Sequence, residues 1–123
     1  MPKKINILPA DAGVMTDRLF RELWQQAIDT HDEDAFVTAA NCPDADLLTV
    51  QDQLRRLWHV AHDSFRDFLA ALNMTQTMIT THFCIPFNTV RKWACDIHPC
   101  PPYLRLMMAE ALGYVRLRDI GRE

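Results

Sequence analysis

This sequence predicts an all-α fold, five or six helices packed around one core, and three observations predict it. Apolar residues recur three and four apart through most of the chain, the spacing that gathers one face of a helix. Ser, Thr, Asp or Asn stands at the head of most of these runs, where a side-chain oxygen can accept from the orphan amides of a first turn. No stretch alternates with the two-residue period of a half-buried strand, apart from 114–118. With 123 residues, 49% of them hydrophobic, the chain is long enough for one compact core and short for two.

In chain order, residues 1–14 carry Pro2, Pro9 and Gly13 without helical period and read as an extended arm, or as a segment that lays Ile5, Ile7 and Leu8 over an apolar groove. In 16–30, Leu19, Phe20, Leu23, Trp24, Ala27 and Ile28 repeat one stripe, with Thr16 or Asp17 as cap. The acidic run 32–34 suits the positive end of a short helix that buries Ala35, Phe36, Ala39 and Ala40 and ends at Asn41, Cys42 and Pro43. A third pattern starts at Thr49, paired with Asp52 as an imperfect capping box, and runs through Val50, Leu54, Leu57, Trp58 and Ala61. The stripe continues through Phe65, Phe68, Leu69 and Leu72. Ser64 with Asp67 is nevertheless a second capping signal, so a break is expected near His62, Asp63 and Ser64, with Asn73 closing the next helix. These readings divide the chain into an N-terminal arm and helical extension, 1–48, packed on a domain spanning 49–123.

The stretch TQTMITTHFCIPFNTVRKWAC, 75–95, reads as two short helices and a tight turn. Thr75 caps the first, and Ile79 and Phe83 lie on its inner face. Cys84, Ile85 and Pro86 interrupt the pattern; proline cannot continue a helix but can open one. From Phe87 the helix resumes with Val90, Trp93 and Ala94 inward and Asn88, Thr89, Arg91 and Lys92 outward, a helix-turn-helix pattern.

On these residues the chain resembles the helix-turn-helix domain of phage Cro and lambda-repressor-type regulators. The match rests on the Thr75-Gln76 opening, Ile79, Phe83, Ile85 in the turn, Thr89-Val90 and Trp93, followed by a proline-containing loop and a closing helix, 103–112, ended by Gly113. It covers roughly 63–113. The turn position held by Cys84 is often glycine in that family, where positive φ costs nothing, so cysteine there implies mild strain or a slightly different turn. The acidic residue common after the Trp93 position is Ala94 here. The resemblance implies a sequence-specific transcriptional regulator that binds double-stranded DNA through the major groove, as a homodimer on a palindrome. Asn88 is suited to a bidentate contact with adenine, Thr89 to a thymine methyl or a phosphate, Phe87 to thymine methyls, and Arg91 and Lys92 to guanine or phosphate. Thr75 and Gln76 sit at the positive end of the preceding helix, and Gln76 matches a family position that holds a phosphate. The alternative is a protein-interaction module that keeps the fold without the DNA surface.

The net charge of −3 does not advertise a nucleic-acid binder. Residues 1–62 hold six Lys or Arg against ten Asp or Glu, and 63–123 hold seven against six, so any basic surface is local. Within 75–95 the only charges are Arg91 and Lys92; Arg105, Arg116, Arg118 and Arg122 would extend that patch if the tail folds back beside it. Four cysteines without a signal-peptide pattern read as reduced thiols in a cytoplasmic protein, and no apolar run is long enough to span a bilayer. Cys95, His98 and Cys100 match no common zinc spacing, and no cofactor, catalytic grouping or enzymatic role is expected. His59 and His62 read as a surface pair, and Met74, Met78, Met107 and Met108 as core fillers. The N-terminal helices are expected to pack on the core, to form a dimer contact or to bind a protein partner.

Overall fold

The computed structural model describes residues 5–6, 17–41 and 47–119. Seven α-helices carry the described chain: α1 (Asp17–Asp29), α2 (Glu33–Thr38), α3 (Leu47–His62), α4 (Phe65–Leu72), α5 (Gln76–Phe83), α6 (Phe87–Ala94) and α7 (Pro102–Ala111), with a 3₁₀ turn at Leu117–Asp119. The all-α expectation holds, with seven helices rather than five or six. Four of the seven are short: α2 has six residues, and α4, α5 and α6 have eight each. Two-residue strands β1 (Ile5–Asn6) and β2 (Ala40–Asn41) pair in parallel, Ile5 opposite Ala40. β2 begins where α2 was expected to continue, so α2 stops at Thr38 with Ala39 as its cap. The rest of the expected arm, Thr16, Cys42 and Pro43 lie outside the described residues.

Helix α3 is the central post. It packs on α1, α2 and α7, while α5 packs on α6 and α6 on α4. It starts at Leu47, two residues before the expected Thr49 cap. Val50, Leu54, Leu57 and Val60 are buried along its inner face, and Trp58 and Ala61 are partly buried beside them. Phe20, Leu23 and Ala27 meet this face from α1, and Phe36 and Val37 from α2, so Val37 takes the place expected of Ala35 and Ala39. One cluster of buried side chains runs from Leu19 to Leu117.

The break between α3 and α4 lies where the capping signal put it. Ser64 is extended, at ψ 158°, and its Oγ accepts from the Asp67 amide at 3.2 Å. Asn73 closes α4 in the left-handed region at φ 58°, with its amide and that of Met74 bonded to carbonyls of the last turn. Gly113, at φ 76°, ends α7 in the same way.

Several surface readings are overturned by packing. Segment 114–118 is no strand; it leads into the 3₁₀ turn, burying Val115 and Leu117. Met107 and Met78 are exposed, Met74 is partly buried, and Met108 alone of the four is fully buried. His59 and His62 are not a loose surface pair. His59 bridges Glu33 and Asp63, while His62 stacks on Trp58 and bonds the carbonyl of Ala27. Arg105 is buried, so it adds nothing to an outer basic patch. It donates to the carbonyls of Asp63 at 2.6 Å and Ala61 at 3.3 Å, tying α7 to the end of α3. Burial lowers its pKa, and its Nε has no partner among the described residues. The neighbouring Cys100 thiol is pushed up to about 11 by burial, against the pull of Arg105.

Candidate nucleic-acid interface

Helices α5 and α6 are set by their ends. Thr75 caps α5, its Oγ1 accepting from the Met78 amide at 3.1 Å. At the other end Cys84 takes φ 56° and ψ 38°, and the amides of Cys84 and Ile85 both return to the carbonyl of Thr80. Cysteine thus occupies the left-handed conformation itself rather than avoiding it with another turn. Ile85 tucks against the core, and Pro86 becomes the N-cap of α6, its carbonyl accepting from Thr89 and Val90. No side chain caps α6, so its first amides have no side-chain acceptor there. Asp96, at φ 58°, ends the helix, with the Ile97 amide bonded to the carbonyl of Lys92 at 2.9 Å.

The inner face of α6 is Val90, Trp93 and Ala94, all buried. The Trp93 ring meets Phe65 of α4 edge-on, centroids 5.4 Å apart. Ile79 of α5 is fully buried and Phe83 is packed at the margin of the same cluster. Arg66 of α4 donates from Nε to the carbonyl of Ala94 at 2.8 Å and so holds the far end of α6.

Of the expected contact residues, Phe87, Asn88, Arg91 and Lys92 come together on one exposed side of α6, three and four residues apart. Phe87 is 49% exposed, unusual for a phenylalanine at a helix start with a core beside it. Thr89 is half-buried, turned from that side toward the packed one. Thr75 is exposed and Gln76 half-buried at the N-terminus of α5. Arg91 and Lys92 form no ion pair among the described residues. The described part of the tail does not reinforce them. Arg118 lies over the Phe20 ring and pairs with Glu110 at 2.8 Å and Asp17 at 3.2 Å, which places it against α1. Arg116 bonds the carbonyl of Gly113, and Arg122 lies outside the described residues.

Arg66 is a cation that periodicity did not assign to the neighbourhood of α6. Its signal was its position: a positive charge two residues after a helix cap opposes the helix dipole and invites a partner elsewhere. Cys84 and Cys95 are exposed thiols at the two ends of this region, and Cys100 is buried. Among the described residues no three His, Cys, Asp or Glu side chains converge to hold a metal ion, and no helix is long and apolar enough to cross a membrane. No family model, curated protein or solved structure matches this chain.

Proposed function

We propose that this protein is a sequence-specific DNA-binding transcriptional regulator, acting as a repressor, that lays α6 in the major groove. The observation that carries the reading is the outer side of α6. Phe87, Asn88, Arg91 and Lys92 are exposed together, while Val90, Trp93 and Ala94 anchor the helix from behind. A short helix anchored along one side, with an amide and two cations that pair with no described residue on the other, has the donors and acceptors that base edges and phosphates need. The α5–α6 pair, flanked by α4 and α7, supports assignment to the Cro and lambda-repressor type of helix-turn-helix. In this reading Asn88 addresses adenine, Phe87 a thymine methyl, and Arg91 and Lys92 guanine or phosphate. Thr75 and Gln76 meet the backbone at the head of α5, and Thr89, half-buried, contributes to seating the helix more than to readout. The active species is a cytoplasmic homodimer on a two-fold site, with no cofactor and no enzymatic activity.

A second reading, a protein-interaction module on the same scaffold, is favoured by the thin positive charge of this surface in a chain of net charge −3. Duplex binding separates the two. Selection from a random duplex pool at low salt should enrich a defined site, and Arg91→Ala with Lys92→Ala should weaken affinity for it about 10- to 100-fold. Unchanged affinity in the double variant, or no duplex binding by the parent chain, would leave the interaction module as the reading.

A further inference from the structure

One stripe of α3 holds the α1–α2 segment through polar contacts. Arg55, Trp58, His59 and His62 lie three and four apart on this helix. Arg55 reaches Asp34 at 2.9 Å and Glu33 at 3.5 Å. Trp58 donates from Nε1 to the carbonyl of Thr30 at 2.9 Å, and His62 Nε2 donates to that of Ala27 at 2.6 Å. Between them stands His59, partly buried, with Nε2 2.9 Å from a Glu33 oxygen and Nδ1 2.9 Å from an Asp63 oxygen. Glu33 opens α2, and Asp63 joins α3 to the Ser64 cap of α4.

An ionised carboxylate only accepts, so both ring nitrogens of His59 must carry hydrogen for both bonds to form. A neutral imidazole has one such hydrogen. It would leave a nitrogen lone pair facing a carboxylate oxygen at hydrogen-bond distance.

We propose that His59 is a pH-operated latch: its protonated ring clamps α2 to the α3–α4 junction, and loss of the proton loosens the α1–α2 segment from the remaining helices. Every charged or titratable group that faces it acts on this balance. Arg55 shares Glu33 and weakens its hold on the ring. Arg105, from α7, occupies the Asp63 carbonyl and leaves the carboxylate to His59. His62 is stacked on Trp58 at 4.4 Å, with the His31 ring 6.1 Å from His62, and the Trp58 and His59 rings stand nearly perpendicular at 5.1 Å. Partial burial opposes the charge on His59, but the hydrogen bond and attraction of Asp63, then those of Glu33, outweigh it, and the pKa rises above the ordinary 6.5. The folded-state pKa is the higher one, so the clamp is complete below 6.5 and is lost as pH rises through the raised value. The latch does not depend on the DNA-binding proposal.

Ring titration of the full chain by NMR tests it, together with urea midpoints at about pH 6 and about pH 8.5, either side of the ordinary histidine range. His59 is expected to titrate above 6.5, the α2 amides to lose protection at the higher pH after correction for intrinsic exchange, and the midpoint to fall. Glu33→Gln keeps the shape and an acceptor oxygen but removes one charge, so the His59 pKa should move down and the midpoint difference shrink. Titration of His59 at or below 6.5, or an undiminished midpoint difference in Glu33→Gln, overturns the latch. If the variant does not fold, the ring pKa in the parent chain decides alone.

Discussion

Among the described residues, three other than glycine hold positive φ: Asn73, Cys84 and Asp96, all within a few degrees of one another. Asn and Asp tolerate this region because a short polar side chain can bond locally, whereas the cysteine Cβ meets the carbonyl with nothing in return. Cys84→Gly should therefore stabilise the fold by about 0.5 to 1 kcal/mol, relief of the left-handed strain exceeding the added chain entropy of glycine. Asn73→Gly should stay within about 0.5 kcal/mol of the parent. Urea unfolding of the two variants checks this, and equal effects would mean that the turn carries no strain. At this scale the sequence was legible wherever a residue's chemistry is local. The caps at Ser64, Asn73 and Thr75, the closing Gly113 and the outward Asn88, Arg91 and Lys92 follow from neighbours a few positions away, whereas Thr49 lies inside α3 and Thr89, expected outward, is half-buried. Arg105 was not legible. An arginine in an amphipathic helix reads as surface, and its acceptors are backbone carbonyls more than forty residues earlier, which leave no trace in side-chain pattern. The methionines failed for a related reason: an unbranched thioether suits both a core gap and a rim, so spacing alone did not separate Met108 from Met107.

Among the elements, the boundary between α3 and α4 shows what a single cap can do. The apolar stripe runs in register across it, and one long helix would satisfy the same pattern. Ser64 divides the two by turning its own backbone extended and accepting the Asp67 amide. Ser64→Ala should cost about 1 kcal/mol in urea or thermal unfolding, the ordinary loss for an N-cap. A variant as stable as the parent would show that Arg105 and the His59 contacts, not the cap, hold the break. Where strands were concerned, pattern misled in both directions. Val115 and Leu117 are buried while Arg116 and Arg118 are exposed, which is a two-residue period. A period needs a neighbouring strand to become a sheet, and here the segment instead closes over α1 and α3 as a 3₁₀ turn. The pairing of β1 with β2 involves two residues on each side, too few for any periodicity to announce.

For the whole molecule, the charge distribution sets the terms on which a duplex can be held. Among the described residues, ion pairs engage most of the positive charge on the N-terminal side and half of it in the tail: Arg18 with Glu22, Arg55 with Glu33 and Asp34, Arg56 with Asp52, Arg118 with Asp17 and Glu110. What is left on or beside α6 is Arg91 and Lys92 on its outer side and Arg66 of α4, exposed and bonded through Nε to the carbonyl at the helix's far end. Three cations per chain neutralise about three phosphates, so the logarithm of affinity should fall against the logarithm of salt with a slope of about −3 for one chain and about −5 for a two-fold pair. The slope thus reports stoichiometry as well as mechanism. Arg91→Ala in each chain should make it shallower by about 1 per chain, and a change confined to one base position would mean that Arg91 reads a base rather than a phosphate. Arg118→Ala should leave the slope where it was, because that guanidinium is committed to Asp17, Glu110 and the Phe20 ring on another face. A measured slope near zero would remove phosphate contact from α6 altogether. A slope much steeper than about −5, by contrast, would require cations beyond these three.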